Sequence, residues 1–176
     1  MAKVIMRKQL QHTSQAQRQE IEGLQPFSTM LERQKSELAV LLWRAFKGSP
    51  DDRGESVEDF EVEVEESLKG AHGQLFMDWS FLYVDHLTGQ VLATAMVSLF
   101  RGIPLLIYLA VDPEAQGQGL AVIMLNAVTD AMLSSPESDT FQELYLVVVP
   151  ENDRARKIYD AAGFDVVGSD WDEVLR

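Results

Sequence analysis

The apolar positions of this chain switch repeatedly between the helical and the extended period. Leu31, Leu38, Leu41, Leu42 and Ala45 fall on one helical face, with Ser28 placed to cap the helix and Gly48-Ser49-Pro50 to stop it after Phe46. Val57, Phe60, Val64 and Leu68 repeat that spacing behind Ser56, and Lys69-Gly70 closes the segment. Residues 61–65 also alternate like a strand, but the cap and stop signals favour helix. Phe81–Val84 and Val91–Phe100 read as strands joined through residues 85–90, and Arg101-Gly102 turns the chain into a third at 105–111, an antiparallel meander. Leu120, Ile123, Met124, Ala127, Val128, Ala131 and Met132 then form one buried helical face ending near Leu133. Residues 143–149 are an almost continuous apolar run, the pattern of a strand buried on both faces in the parallel part of a mixed sheet. A last helix at 152–162 precedes strand-like segments at 164–168 and 171–175. The opening eighteen residues read as a polar tail, with a first strand either at 4–7 or near 19–24. One domain, 19–176, of mixed α/β class with about four helices accounts for the rest.

Composition narrows the class. With 176 residues, 46% of them hydrophobic, the chain is long enough for one sizeable core, and no Pro/Gly/Ser-rich linker divides it. Cysteine is absent, which excludes disulfides, thiolate metal sites and cysteine nucleophiles and permits a reducing compartment. The start of the chain is polar and glutamine-rich and has no continuous apolar core, so it makes no signal peptide, and no stretch reaches membrane-spanning length. A cytoplasmic protein with no membrane partner is expected. The net charge is −13, and residues 51–66 carry nine acids against one base, Arg53. That balance argues against nucleic-acid binding, which depends on Lys and Arg to neutralise phosphates, and suits a cationic partner or simply a solvated face. His12, His72 and His86 have no carboxylate or cysteine at ligand spacing, so no metal site is expected.

Residues suited to binding or catalysis gather at two places. The run 105–111 breaks at Asp112-Pro113 and enters Gln116-Gly117-Gln118-Gly119-Leu120-Ala121, where the amphipathic helix begins. A helix N-terminus offers unpaired N–H groups and the positive end of the macrodipole, so a phosphate placed there is stabilised without a cationic side chain. Gly117 and Gly119 let a ligand come close to the backbone. Asp139 lies at about the distance of a ribose-binding acid in a dinucleotide fold, but Val122 stands where the third glycine belongs, which speaks against that fold. The second place is 152–164. Asn152 can cap the helix, Gly163 suits the left-handed residue after it, and Tyr159, seven residues on, shares Asn152's side of the helix. On this pattern alone, Tyr159 is open to a core reading and a catalytic one.

Taken together, residues 111–121 followed by Asn152, Ala155, Tyr159, Gly163 and Phe164 resemble the GNAT superfamily of acyl-CoA-dependent N-acyltransferases. The likeness is good from Phe81 to Gly168 and extends to the first two helices only in order and length. It implies a parallel central strand pair that splays apart to hold acetyl-CoA. Amides of Gln116, Gly117, Gln118, Gly119, Leu120 and Ala121 would then hold the pyrophosphate, and backbone groups of Leu109 and Val111 would pair with the pantetheine arm. The Val111 amide or its neighbour would polarise the thioester carbonyl, Asn152 would contact the pantetheine, and Tyr159 would protonate the departing thiolate. One well-placed oxyanion donor contributes about 3 kcal/mol.

With no cysteine nucleophile, direct attack of a primary amine on acetyl-CoA is expected rather than a covalent acyl-enzyme. Many relatives carry a glutamate on the strand before the phosphate loop, where this chain has Ile107 and Tyr108. The base is therefore open between Tyr108 and a water held by the acidic segment. The expected function is acetyl transfer to a small cationic amine or a basic peptide amine. The other class is a non-catalytic acyl-CoA-binding sensor, favoured by the missing glutamate and disfavoured by the presence of Tyr159. Relatives often dimerise through late strands, so the resemblance also allows a homodimer.

Overall fold

The computed structural model describes residues 2–11 and 20–176. Seven strands form one sheet: β1 (Val4–Gln9), β2 (Leu24–Pro26), β3 (Phe81–Val84), β4 (Val91–Phe100), β5 (Ile103–Val111), β6 (Glu143–Val148) and β7 (Asp165–Gly168). Their order across the sheet is β2-β3-β4-β5-β6-β1-β7. Five helices accompany them, one more than the sequence suggests: α1 (Glu32–Phe46), α2 (Val57–Leu68), α3 (Leu120–Ser134), α4 (Asp153–Ala161) and the short α5 (Trp171–Val174).

The alternation of β4 divides the core in two. Ala93, Ala95 and Val97 face a cluster with Met124, Val128 and Met132 of α3 and with Leu144, Leu146 and Tyr159. Met96, on the opposite face, meets Leu38, Leu41 and Leu42 of α1 and Phe60 and Val64 of α2. Strand β4 is thus buried on both faces although its pairing is antiparallel.

The choice left open for a first strand falls at the earlier place: inside the stretch read as a polar tail, residues 4–9 form β1, which pairs with β6 over its whole length and with β7 on its other side, and Ile5 and Met6 are fully buried. His12 and the greater part of the glutamine-rich segment lie outside the described residues. Two further expectations are corrected. Helix α1 does not begin at Ser28, which sits in a 3-10 turn at Phe27–Thr29. Gln34 instead reaches back to the Leu31 N–H at 2.8 Å, and Leu31 is half exposed rather than on the buried face. Residues 171–175 are not a strand. Asp170 accepts from the Asp172 and Glu173 N–H groups at 2.8 and 3.2 Å, starting α5, and Trp171 lies against Phe100 and Tyr145 with ring centroids 5.0 and 6.0 Å away.

Candidate active site

The one parallel pair among the described strands, β5 and β6, touches only at Leu105↔Tyr145 and Leu106↔Leu146. Its separation has a local cause. Met96 of β4 opposes Tyr108 while Val97 opposes Leu106, so Ile107 is an extra residue on β5. A bulge of this kind bends its strand and increases the twist. Past Leu106, β5 follows β4, whereas β6 keeps its register with β1 as far as Val148↔Val4. A gap opens between them.

Backbone polarity in that gap follows from the ladder. The Asp112 N–H donates to Leu92 C=O at 2.8 Å, and hydrogen-bonded pairs alternate along an antiparallel ladder. Ala110 and Tyr108 therefore face β4, while Leu109 and Val111 turn their N–H and C=O groups into the gap. At its far end the chain enters the 116–121 turn. Gly117 and Gly119 hold φ of +83° and +76°, a left-handed conformation that most residues adopt only with strain, and a Cβ on either would meet no atom within 4 Å. The first helical bond of α3 runs from Ile123 N–H to Gly119 C=O, so the N–H groups of Gly119, Leu120, Ala121 and Val122 have no helical acceptor. No side chain caps them. The turn is held from below by Asp112, whose buried carboxylate accepts from the Glu114 N–H at 2.9 Å and pairs with Arg44 of α1 at 3.2 Å. Asp112 showed in the sequence only as the break in the apolar run and Arg44 not at all, because their pairing joins elements that are far apart along the chain.

Two adjoining cavities of about 350 and 310 Å³ fill the gap and share Phe46, Leu109, Asn152, Ala155 and Tyr159. One runs to Gln116, Ala121 and Arg154, and Arg154 donates to Gln116 Oε1. The other is lined by Asp51, Arg53, Glu55, His72, Tyr108 and Lys3. Asn152 and Tyr159 stand where the two meet. Asn152 Oδ1 caps α4 by accepting from the Ala155 N–H at 3.2 Å, which leaves its amide nitrogen to donate elsewhere. Tyr159 is buried with its ring edge-on to Phe164, centroids 5.8 Å apart. Burial, and secondarily the Asp51 carboxylate, pushes its pKa above the ordinary tyrosine value, so the hydroxyl stays protonated at neutral pH.

The sequence left Tyr108 open as a base, and its surroundings argue against that role. Its hydroxyl donates to Glu63 Oε1 at 2.9 Å, and burial and that carboxylate push its pKa up, so it holds its proton. Glu63 Oε1 also lies 2.5 Å from His72 Nε2 and accepts from Ser67 Oγ at 3.3 Å. This Glu63–His72–Tyr108 group was missed in the sequence. Glu63 looked like one of nine acids, and His72 reaches it only through the turn after α2. The remaining acids separate by position. Asp51, Glu55 and Glu63 are half-buried, whereas Glu58, Asp59, Glu61, Glu65 and Glu66 are solvated. His86 lies 4.0 Å from Glu22 at the surface. No helix among the described residues is long and apolar enough to cross a membrane.

Comparison with known proteins meets this geometry from outside. The chain is 30% identical over 129 residues to the mycothiol acetyltransferase of Beutenbergia cavernae, a match covering 70% of this chain and 39% of that protein. Its fold matches a GCN5-related N-acetyltransferase from Sphaerobacter thermophilus at a TM-score of 0.68 and 17% identity, over 94% of this chain and 48% of the other. It also matches an aminoglycoside N-acetyltransferase solved in complex with CoA, at a TM-score of 0.55 and 20% identity, over 77% and 84% of the two chains. The chain thus spans less than half of the first two proteins. Residues 37–164 match the profile of the acetyltransferase (GNAT) family, and with most of its length inside that match, the chain belongs to this family.

Proposed function

We propose that the protein transfers an acetyl group from acetyl-CoA to a primary amine by direct attack. The observation that carries this reading is the opening of β5 from β6 after Leu106, with the Leu109 and Val111 amides facing the gap and the unpaired N–H groups of 119–122 at its end. The pyrophosphate would sit on residues 116–121, beside Arg154. The pantetheine would run along Leu109 and Val111 with Asn152 as a side-chain donor, and the thioester carbonyl would receive the Val111 N–H. As the C–S bond breaks, the Tyr159 hydroxyl would give its proton to the thiolate, a general-acid step typically worth 10²–10⁴-fold.

The acceptor would enter through the other cavity, whose Asp51 and Glu55 suit an ammonium group. Both a small molecule and a peptide amine fit such an opening. The test is to incubate the protein with acetyl-CoA and a panel of diamines, aminosugars and short peptides with a free α-amine, reading free thiol and the acetylated product by mass spectrometry. Amine-dependent thiol release with a matching product is expected. Tight CoA binding without transfer to any amine would favour the sensor reading instead.

A further inference from the structure

Deprotonation of the incoming amine has no residue assigned to it. Alkyl amines ionise near pH ~10, so an acceptor arrives as an ammonium ion that cannot attack a thioester. The half of the cleft that would take the acceptor contains His72, and the chain invests heavily in placing it. Behind α2, Gly70 and Gly73 hold φ of +92° and +95°, and the turn closes through Ala71 N–H to Glu66 C=O at 2.9 Å and Gly73 N–H to Gly70 C=O at 3.0 Å. The Leu99 N–H pins Gln74 to β4 at 2.8 Å, and a Cβ on Gly73 would fall 1.9 Å from Leu99 C=O, so only glycine lets the loop lie this close. The result is an imidazole whose Nε2 is 2.5 Å from Glu63 Oε1, with that carboxylate fixed by Tyr108 and Ser67.

We propose that His72, oriented by Glu63, is the base that takes a proton from the acceptor amine. This rests on the acetyl-transfer reading above. With Glu63 ionised, Nε2 carries the hydrogen and donates it to Oε1, so Nδ1 keeps its lone pair. The acceptor ammonium gives one N–H proton to Nδ1, and the carboxylate stabilises the imidazolium that results. The freed amine lone pair forms the C–N bond at the thioester carbonyl. When the tetrahedral intermediate collapses, the C–S electrons leave with sulfur, Tyr159 protonates the thiolate, and the second N–H proton of the former amine restores Tyr159. His72 then returns its proton to solvent, to which nearly half of its side chain is open. Glu63 and Tyr108 are positioning residues in this scheme. The other charged groups facing the imidazole across the cavity are Asp51, Glu55, Arg53 and Lys3.

Two measurements test it. Nitrogen-15 NMR of the His72 ring in the CoA-bound protein should show the Nε2–H tautomer near neutral pH, with that preference weakened in Glu63→Gln; an Nδ1–H tautomer in the wild type overturns the proposal. With the best acceptor from the amine panel, His72→Gln should lower kcat/KM by roughly 10²-fold with the acetyl-CoA KM unchanged, and the deficit should narrow as pH rises and the amine deprotonates unaided. A deficit constant with pH marks a merely structural residue, and an unchanged kcat/KM removes His72 from the reaction. A wild type that acetylates no member of the panel overturns the transfer reading itself and His72's role with it.

Discussion

Tyr159 has two features that a general acid needs, a position at the junction of the two cavities and surroundings that keep it neutral. Replacing it with phenylalanine keeps the ring and its contact with Phe164 while removing the proton. Tyr159→Phe should therefore cut turnover by roughly 10²-fold or more with CoA affinity little changed, as steady-state kinetics and calorimetry would show. The same burial has a signature in stability. Because the folded-state pKa is raised, the stabilisation from keeping the hydroxyl neutral is complete below about pH 10 and is lost as pH rises beyond it. Denaturation midpoints should fall less steeply above about pH 10 in Tyr159→Phe than in the wild type. At the other end of the cleft, the open side of Gly119 makes it the sharpest test of phosphate binding. Gly119→Asp would add bulk, a strained left-handed backbone and a like charge where the pyrophosphate is expected, so CoA binding by calorimetry should drop below detection in a protein that still melts cooperatively. Unchanged affinity in that variant would move the pyrophosphate elsewhere.

The element joining α1 to α2 shows why counting charges along the chain is too coarse. Asp52 is part of the loop's construction, accepting from the Gly48 N–H at 2.7 Å and the Gly54 N–H at 2.8 Å, and these bonds hold its pKa below the usual carboxylate value. With the folded pKa depressed, its contribution to loop order is present above about pH 4 and is lost as pH falls. Asp51 and Glu55 line the cavity instead. The pair Asp51→Asn and Glu55→Gln should raise the acceptor KM and flatten its dependence on salt between ~0.1 and ~1 M, with CoA binding intact. Asp52→Asn should leave the salt slope alone and increase amide exchange over residues 48–54. If all these variants keep the parent KM and salt slope, the acidic segment is a solvated face and no more.

Across the whole molecule, what sequence made legible were the elements with strong local signals. Ser56 does cap α2, the 3.6-residue period of α3 survives from Leu120 to Met132, and the glycine turn lies where the apolar run breaks. Less legible were features made by partners far apart in the chain. A short strand such as β1, with Arg7, Lys8 and Gln9 at its end, gains its place between β6 and the edge strand β7 only from pairing with those two. The bulge at Ile107 that parts β5 from β6 is set by β4, and the meeting of Glu63, His72 and Tyr108 needs a glycine loop and a sheet between them. On the acetyl-transfer proposal, the strand pair parted by this bulge is the acetyl-CoA site, and backbone amide NMR during titration with CoA tests that placement. The Leu109, Val111 and 117–121 amides should shift together and gain protection from exchange as CoA saturates the protein. If CoA binds and those amides stay unperturbed while others respond, the cofactor lies outside the gap and the parted strands do not hold it.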